Sequence, residues 1–381
     1  MEYTRKILFT GGGSGGHVYP LLAVSQKLKV LIENEHRSAE FFYMGPKDEY
    51  AEILRTADFK ITPIFSGKLR RYSSLDNITD IPKFGIGLIQ SFVKIFSIMP
   101  DVVFSKGGTG ALPVVIAAWF YGIPVIIHES DAAPGLTNLL SAPFAVRIAV
   151  SFQCVMPYFN RRKVAWIGTP IREELLSENP SASFAKKDLG FDMQEPLTLI
   201  IGGSQGSARI NEFIVENLAG LLAETQILHQ TGQANYADVA NLSRAVLTEV
   251  AKTAGGKERY RAIPYLDVTT ERSAFSAADL VVARAGSGTI ADISAFSKPS
   301  ILIPLRESAN DHQRINAYEF AKTGAAIVIE ESNLLPGIFL NQLKSLIHKQ
   351  DTLVKMATAS GAMFKKDAAE TIAQEILKLS A

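Results

Sequence analysis

A histidine stands directly after a glycine-rich run near the amino terminus. Residues 11–16 have the sequence Gly-Gly-Gly-Ser-Gly-Gly, and His17 follows them at the predicted start of a helix. Bare glycine backbone lets a substrate approach closely, and an imidazole there can take a proton from an attacking hydroxyl near neutral pH. His17 is therefore a candidate general base. The alternative is that it is only a polar residue at a helix start.

The same run fits the G-x-G-x-x-G pattern of dinucleotide sites. In such sites the second strand ends in an acid that holds a ribose hydroxyl. Here the second predicted strand, residues 41–44, is followed by Gly45-Pro46. The sequence therefore argues against NAD, and a tight turn without any ligand stays open as an alternative.

A polar cluster, His128-Glu129-Ser130-Asp131, follows the apolar run of residues 125–127. A strand would carry these side chains to its carboxyl end, which is where ligands bind in parallel sheets. Two acids and a histidine suit acid–base work or the binding of sugar hydroxyls, which makes Glu129 and Asp131 candidate catalytic residues. Alternatively, the cluster caps the helix expected after Pro134.

A second glycine-rich turn, residues 202–207, follows a strand in the other half of the chain. Its backbone N–H groups, together with the hydroxyls of Ser204 and Ser207 at a helix start, are typical of a diphosphate site. Farther on, Asp292 lies one turn into the helix that follows residues 284–289. Its carboxylate could hold two ribose hydroxyls, or it could merely complement the positive end of that helix.

The run from Asn310 to Asn316 packs many hydrogen-bonding groups into one turn after a predicted strand. These groups suit sugar hydroxyls. The run could equally be a solvated loop and helix start.

Length and composition limit the class of protein. The chain has 381 residues, 47% of them hydrophobic, which fits two packed domains. A net charge of +1 gives no overall attraction to nucleic acid, so we expect none as a partner. The sequence has one cysteine, Cys154, and no Cys/His cluster with metal-ligand spacing. We therefore expect no metal, no cofactor, no signal peptide and a reducing cytoplasm.

Short β-branched runs alternate with helical patterns in both halves, which predicts an α/β protein. We expect two Rossmann-like, doubly wound parallel-sheet domains facing a cleft, residues 1–167 and 168–364, with a helix at about 365–381 packing back on the first. The longest uncharged stretch, residues 111–127, falls short of the ~20 residues of a spanning helix. It predicts a buried helix followed by a buried strand.

In this order, the motifs resemble the MurG family of peptidoglycan glycosyltransferases over nearly the whole chain. The resemblance rests on residues 10–17, His128-Glu129 with residues 134–138, residues 202–206, and Asp311-His312-Gln313 with Asn316. It implies a GT-B fold, with UDP-N-acetylglucosamine held by the second domain. It also implies a lipid-linked muramyl-pentapeptide acceptor, lipid I, held by the first domain at the cytoplasmic face of the membrane. The product would be lipid II.

The resemblance also implies roles for individual positions. Residues on the acceptor side would be Ser14, Gly15, Gly16, His17 and Asn138. Donor-binding residues would be Arg172, Ser204, Gln205 and Gly206 at the diphosphate, Leu266 at uracil, Asp292 at the ribose, and Ser287, Gly288, Thr289 and Gln313 at the N-acetylglucosamine ring.

Two departures from the family pattern affect this transfer of roles. Asp292 stands where many members have Glu, so the ribose contact is expected to be looser. Ser130-Asp131 replaces the Gln-Asn of many relatives, which leaves open whether Asp131 binds the acceptor or is itself the base.

The implied mechanism is an inverting single displacement without a metal. The helix start after Gly206 and the guanidinium of Arg172 would meet the charge on departing UDP. Two alternatives remain. One is a UDP-N-acetylglucosamine 2-epimerase on the same fold, which needs no acceptor. The other is a sugar-nucleotide-binding protein of cell-wall synthesis without turnover.

The segment from Lys60 to Lys106 is locally basic, with seven basic residues against three acidic ones. Its basic residues are Lys60, Lys68, Arg70, Arg71, Lys83, Lys94 and Lys106. Apolar residues also recur within it, namely Ile81, Phe84, Ile86, Leu88, Ile89 and Phe92. This combination predicts docking to anionic lipid of the inner leaflet. The alternative is that the apolar residues face the core, which is their commonest fate.

Overall fold

The computed structural model describes residues 4–67, 77–177, 180–253 and 258–380. The chain divides into two compact units, one formed by Met1–Glu173 with Lys365–Ala381 and the other by Glu174–Phe364. The division falls six residues later than the predicted one at 167/168. Each unit is built around its own parallel sheet, so the predicted α/β class is confirmed.

The first unit contains a seven-stranded sheet whose order is β3-β2-β1-β4-β5-β6-β7. Its strands are β1 (Thr4–Gly12), β2 (Ser38–Gly45), β3 (Lys60–Pro63), β4 (Val102–Gly108), β5 (Val125–Glu129), β6 (Arg147–Val150) and β7 (Val164–Trp166). Its helices are α1 (Gly15–Asn34), α2 (Glu49–Thr56), α3 (Asn77–Ile98), α4 (Ala111–Phe120), α5 (Leu136–Ser141) and α16 (Ala368–Leu379), with a 3₁₀ turn at Gln153–Tyr158. All six strand pairs are parallel.

The core of the first unit forms where β1 lies between β2 and β4. The ring of Phe9 packs edge-on against Phe41, Phe59 and Phe104, with centroids 5.0 to 6.0 Å apart. The last helix, α16, packs against α1 and adds Ile372 to the same core. Its apolar residues recur at helical spacing, so one face of α16 is buried. The C-terminal segment therefore belongs to the first unit.

Residues 111–127 form the predicted buried helix and buried strand. Helix α4 buries most of its first two turns, and all five residues of β5 are buried. That expectation is confirmed. Another helix has the length and composition of a membrane span: within the described residues, Asp80–Ile98 has a mean hydropathy of 1.3 and only 17% of it is buried.

The second unit contains a six-stranded parallel sheet whose order is β10-β9-β8-β11-β12-β13. Its strands are β8 (Leu197–Ile201), β9 (Gln226–Gln230), β10 (Tyr260–Ile263), β11 (Leu280–Ala283), β12 (Ser300–Leu302) and β13 (Ala326–Val328). Its helices are α6 (Glu173–Leu176), α7 (Ala182–Asp188), α8 (Ala208–Glu216), α9 (Leu218–Leu222), α10 (Tyr236–Thr253), α11 (Val268–Ala277), α12 (Ser287–Ala295), α13 (His312–Ala321), α14 (Pro336–Ile347) and α15 (Gln350–Met363). Short 3₁₀ turns lie at Gln233–Asn235, Ala309–Asp311 and Glu331–Asn333.

The order of each sheet places particular loops side by side. In the first unit β4 lies between β1 and β5, and in the second β8 lies next to β11, which is followed by β12. Since all these strands are parallel, their carboxyl ends meet at one edge of each sheet. The loops singled out from the sequence therefore lie on neighbouring strand ends in each unit.

Candidate active site

The loop after β1 holds the side chain of His17. The hydroxyl of Ser14 lies 2.9 Å from Nδ1 of His17, and the backbone N–H of His17 donates to the carbonyl of Ser14. The buried hydroxyl of Tyr43 donates a hydrogen bond to the carbonyl of Gly11, which fixes the loop. The predicted acceptor-side residues Ser14, Gly15 and Gly16 thus form one ordered turn around the first residues of α1.

The loop after β4 packs against this histidine. Gly108 has a φ of +80°, and a Cβ atom there would lie 2.6 Å from the carbonyl oxygen of Gly12 and 3.2 Å from two carbons of the His17 ring. Gly107 has a φ of +78°, and a Cβ atom there would lie 2.6 to 2.9 Å from side-chain atoms of Asn138. Only glycine fits both positions without strain. The two glycines therefore lie between His17 and Asn138 and bring these predicted site residues close together.

The carboxylate of Glu129 organises the loop after β5. One oxygen accepts a hydrogen bond from the backbone N–H of Asp131 at 3.0 Å. The other accepts from the N–H of Gly135 at 2.8 Å and from Nδ2 of Asn138 at 3.0 Å. Glu129 is almost fully buried, so this geometry favours a structural role in shaping the loop that presents Asp131. Asp131 is the more exposed of the two candidate acids.

His128 lies on the same strand but faces inward. It is fully buried, and its Nε2 lies 2.9 Å from the carbonyl oxygen of Gly168, so the proton is on Nε2. Burial, and next the charge of Lys106, hold the pKa of His128 well below its usual value. His128 is therefore a neutral, fixed group that ties β5 to the segment after β7.

Lys106 contradicts the predicted basic patch. Its side chain is only 1% exposed, because β4 carries it into the interior beside Gly11. It therefore cannot contribute to a lipid-facing surface. Lys68, Arg70 and Arg71 of that predicted patch lie outside the described residues.

Arg172, predicted to contact the donor diphosphate, belongs to the first unit. Its guanidinium carbon lies 4.6 Å from the centre of the Tyr19 ring on α1, which is a cation–π distance. This contact fixes the arginine near the start of α1. Its role toward a diphosphate stays a prediction.

In the second unit, the loop after β8 carries Ser204 and Gln205, both exposed to solvent. Gly206 has a φ of +77°, and a Cβ atom there would lie 1.9 Å from the carbonyl oxygen of Thr231, so no side chain fits. Ser207 caps α8 through its hydroxyl. Exposed N–H and hydroxyl donors at a helix start can bind a phosphate group, as the sequence predicts.

Arg284 joins the strand ends of the second unit. Its guanidinium donates to the hydroxyl of Ser207 at 2.7 Å and to the carbonyl of Ile303 at 3.1 Å, and it forms an ion pair with Glu331. Burial alone would raise the pKa of Glu331, but hydrogen bonds from Arg284 and Arg209 hold it below its usual value. This one buried side chain therefore links the loops after β8, β11, β12 and β13.

The other predicted donor residues lie around α12 and α13. Ser287, Gly288 and Thr289 form the half-buried first turn of α12, Asp292 lies half-buried in its second turn, and Leu266 is 7% exposed. Nδ2 of Asn316 donates to the carbonyl of Ala285 just before that turn. Oε1 of Gln313 accepts from the N–H of Leu305, so its amide nitrogen is the group suited to a sugar hydroxyl.

A buried polar network supports α8. His229 lies between Tyr260, whose hydroxyl is 3.0 Å from Nδ1, and Asn211, whose Oδ1 is 3.0 Å from Nε2. Burial lowers the pKa of His229 to about 3, so the imidazole is neutral. The amide of Asn211 in turn donates to the carbonyl of Thr231 at 2.8 Å. The network therefore fixes the start of α8 against the end of β9.

Sequence reasoning missed the residues that hold these loops. Gly107 and Gly108 could have been found, because two adjacent glycines follow closely on the strand-like run Val102-Val103-Phe104. Arg284 and His229 gave no such signal, since a single polar residue in an apolar run does not reveal its partners. Within the described residues, no group of three or more His, Cys, Asp or Glu is placed to hold a metal ion.

Both halves of the chain match models of one known protein family. Residues 7–150 match the Glycosyltransferase family 28 N-terminal domain, and residues 197–372 match the Glycosyltransferase family 28 C-terminal domain. Together with the two parallel sheets, these matches define a glycosyltransferase of the two-domain GT-B class.

Two curated relatives carry the same name, UDP-N-acetylglucosamine--N-acetylmuramyl-(pentapeptide) pyrophosphoryl-undecaprenol N-acetylglucosamine transferase. The one from Clostridium tetani is 38% identical over 354 residues, which is 92% of this chain and 92% of the relative. The one from Legionella pneumophila is 36% identical over 91% of this chain and 90% of the relative. The chain belongs to glycosyltransferase family 28 and, within it, to the MurG family, which confirms the resemblance found in the sequence.

Solved structures agree on the fold. The crystal structure of Acinetobacter baumannii MurG has a TM-score of 0.73 at 23% identity and covers 98% of this chain and 99% of its own. UDP-GlcNAc 2-epimerase from Neisseria meningitidis, solved bound to UDP-GlcNAc, has a TM-score of 0.65 at 13% identity, over 98% of this chain and 100% of its own. At these identities the likeness shows the GT-B fold alone.

Replacing Gly108 by alanine tests the packing under His17. The added Cβ would meet the carbonyl of Gly12 and the imidazole, and so displace the ring. We expect the rate of glycosyl transfer to fall about 100-fold, since a displacement of about 1 Å at a reacting group has that effect. Gly122→Ala is the matched control, because Gly122 has a φ of +72° but nothing within 4 Å of its Cβ position. Equal transfer rates in the two variants would contradict this role of Gly108.

The His229 network predicts acid sensitivity of the second unit. The folded pKa of about 3 lies below the unfolded value near 6.5, so the stabilisation is complete above about pH 6.5 and is lost as the pH falls. From pH 6.5 to 4.5 this loss is about 2 to 3 kcal/mol. The free energy of unfolding, measured with urea at both pH values, should fall less in His229→Gln than in the wild type. The control is His36→Asn, at an exposed histidine with a φ of +53°. An equal acid loss in all three proteins would exclude His229 as its source.

Proposed function

We propose that this protein transfers N-acetylglucosamine from UDP-N-acetylglucosamine to the muramyl 4-hydroxyl of lipid I, which gives lipid II. The sequence similarity over nine-tenths of the chain to relatives named for this transfer supports the proposal. Within the structure, the main support is the histidine held by Ser14 and Gly108 at the carboxyl end of β1. A base of this kind can take the proton of the acceptor hydroxyl, and the glycines beside it leave room for the acceptor to approach.

The proposed chemistry is a single displacement. The muramyl hydroxyl oxygen attacks the anomeric carbon, the bond from that carbon to the UDP oxygen breaks, and the hydroxyl proton moves to the base. Because Ser14 holds Nδ1 of His17, Nε2 is the nitrogen that would take the proton. Asp131, presented by the loop that Glu129 orders, would bind the acceptor beside it.

The second unit would hold the donor. Exposed Ser204 and Gln205 and the N–H groups before α8 would receive the diphosphate, and the positive end of α8 would stabilise charge on the departing UDP. Arg284 and His229 would act indirectly, by holding the loop after β8 in place. Asp292 and the first turn of α12 would contact the ribose and the sugar ring.

An epimerase function is the second candidate, because epimerases share the fold. The two candidates differ in their need for an acceptor. Incubation with UDP-N-acetylglucosamine and a lipid I analogue, scored for UDP release and for the disaccharide, distinguishes them. Release of UDP that depends on the acceptor supports transfer. Conversion of the donor without any acceptor supports epimerisation instead.

The acceptor is a lipid, so the protein must reach a membrane, and α3 offers a surface for this. Five of its apolar residues are 47 to 71% exposed: Ile81, Ile86, Ile89, Val93 and Phe96. Three predicted contributors, Phe84, Leu88 and Phe92, are instead half-buried. We call the five residues, together with exposed Trp119 and Phe120 of α4, the apolar surface. Rings of Phe92 and Phe120 lie 5.1 Å apart and join the two helices.

Helix α3 is anchored to the first unit along its other side. Ser91 and Ile95 are fully buried, and Oε1 of Gln90 accepts a hydrogen bond from the N–H of Phe65. A helix in the lipid interface keeps these contacts, whereas crossing a bilayer would break them. We therefore propose peripheral docking through the apolar surface, with the exposed Lys83 beside it facing anionic headgroups.

Alanine at position 17 tests the base. We expect His17→Ala to lower turnover by about 10² to 10⁴, the usual contribution of a general base, with UDP affinity unchanged. Transfer is measured with a lipid I analogue, and UDP affinity by calorimetry. Wild-type turnover with a large loss of UDP affinity would place His17 on the donor side instead.

Paired valine variants test the docking surface. Val93 on α3 and Val354 on α15 are 64% and 54% exposed, so Val→Glu adds the same charge at similar exposure in the two units. Val93→Glu should weaken co-sedimentation with phosphatidylglycerol vesicles about tenfold or more, while Val354→Glu should not. Wild-type binding should also fall with added salt. If both variants bind vesicles as the wild type does, docking uses another face.

A further inference from the structure

The loop after β12, residues 304–311, determines where the side chain of Gln313 lies. Oε1 of Gln313 accepts a hydrogen bond from the N–H of Leu305 at 3.0 Å, and the N–H of Gln313 donates to the hydroxyl of Ser308 at 3.3 Å. The N–H of Asp311 donates to the carbonyl of Ser308 at 2.9 Å. These bonds close the loop on itself, so the amide nitrogen of Gln313 follows the position of the loop. We call residues 304–311 the β12 loop.

A cavity lies on one side of the β12 loop. Its volume is about 400 Å³, and its walls include Pro304, Leu305 and Arg306 of the loop and residues 330–332 after β13. A loop beside a cavity lacks on that side the close packing that fixes side chains in a protein interior. The position of the β12 loop therefore depends on its polar contacts.

Arg314, in the first turn of α13, holds one end of the β12 loop. Its guanidinium nitrogens lie 2.9 Å from Oδ2 of Asp311 and 3.1 Å from Oε1 of Glu330. Asn310 and Asp311 have left-handed backbone, with φ of +54° and +56°, which turns the chain sharply before α13. Since Asp311 and Arg314 are only three residues apart, their contact fixes the end of the loop and not its middle.

Arg209 holds the middle of the β12 loop from a different element. It is the second residue of α8, and its Nη1 and Nη2 lie 3.3 and 3.1 Å from the two carboxylate oxygens of Glu307. Nη1 also donates to Glu331 at 2.6 Å. The side chain of Glu331 is 7% exposed and forms the ion pair with Arg284 described above. Through Arg209, the β12 loop is thus joined to the start of α8.

The ion pair between Arg209 and Glu307 lies at the surface, where such pairs usually contribute little. The two side chains are 57% and 59% exposed. Much of the usual cost comes from fixing two flexible side chains, and here Glu331 already holds the guanidinium. Contact through both oxygens of Glu307 also sets the orientation of the pair as well as its distance. The pair can therefore hold the loop even in contact with water.

We propose that Arg209 is a positioning residue for the donor sugar. Through Glu307 it holds the β12 loop, and with it the amide of Gln313, in a fixed relation to the start of α8. The inference rests on the proposed function in placing the sugar at Gln313 and the diphosphate before α8. Loss of the ion pair should then weaken binding of the sugar nucleotide but not of UDP, which has no sugar ring to contact Gln313.

Glu307→Gln tests the ion pair, because glutamine keeps the shape of the side chain and removes its charge. The position is exposed, so the variant should fold as the wild type does. Its affinity for UDP-N-acetylglucosamine, measured by calorimetry, should fall about fivefold, whereas its affinity for UDP should not change. An unchanged affinity for both ligands, or an equal loss for both, would overturn the inference.

Arg209→Gln tests the other partner and completes a double-mutant cycle. It should lower the affinity for UDP-N-acetylglucosamine at least as much as Glu307→Gln does, and Glu307→Gln should have no further effect in the Arg209→Gln background. Arg244→Gln, at an exposed arginine of α10, is the matched control and should bind both ligands as the wild type does. If Glu307→Gln lowers the affinity by the same factor in both backgrounds, the two side chains do not act together and the inference is wrong.

Added salt distinguishes an effect of charge from an effect of shape. At about 1 M salt, exposed charges are screened over about 3 Å. The difference in sugar-nucleotide affinity between the wild type and Glu307→Gln should therefore become smaller. A difference that stays the same at high salt would contradict an ion pair as its cause.

Transfer to a lipid I analogue gives the kinetic result. In Glu307→Gln the KM for the donor should rise about fivefold while the KM for the acceptor stays unchanged. A rise in both KM values would mean that the substitution disturbs more than the donor sugar, against the inference. If the wild type binds UDP-N-acetylglucosamine but transfers nothing, the proposed function fails, whereas the binding results for Glu307→Gln and Arg209→Gln still support the role of Arg209.

Discussion

Close approach of main chain to main chain at the strand ends is the constraint on which both sites depend. Parallel strands deliver their loops to one edge of a sheet, and at that edge the loops must interlock. Gly108 against Gly12 in the first unit, and Gly206 against Thr231 in the second, leave no room for a Cβ atom. Each glycine lets two loops approach so closely that a side chain from one is positioned by the backbone of the other. The orientation of His17 and the exposure of Ser204 are consequences of this packing.

Buried charged side chains also hold the loops in place, and the two units use different ones. In the second unit Arg284 forms direct hydrogen bonds and an ion pair, so its geometry fixes the loops after four strands. In the first unit the buried carboxylate of Glu129 accepts hydrogen bonds from two backbone N–H groups and from Asn138, while Nζ of buried Lys106 has no hydrogen-bond partner among the described residues. A guanidinium can replace several lost hydrogen bonds with water, whereas an unpaired ammonium cannot.

Much of the fold followed from the sequence, because alternating apolar runs and glycine-rich turns are local signals. The two parallel sheets and the buried segment of residues 111–127 were predicted in this way and are confirmed. Lys106 was wrongly placed on a basic surface, since charge counts along a segment ignore the strand that carries one member inward. The partners of Arg284 and His229 come from distant parts of the chain, and one sequence does not reveal which strand ends meet. The roles of the predicted site residues stay predictions.

The return of α16 to the first unit has a consequence for synthesis on the ribosome. Residues 174–364 form a contiguous insertion between the two segments of the other unit, so that insertion can complete its core while the chain is still being made. The first unit cannot, because Ile372 and its neighbours on α16 are the last core residues to leave the exit tunnel. Until they arrive, the groove along α1 that they fill exposes apolar side chains. The nascent chain therefore carries an unfinished first unit until α16 has left the tunnel, and this unit is the part that a chaperone would have most reason to bind.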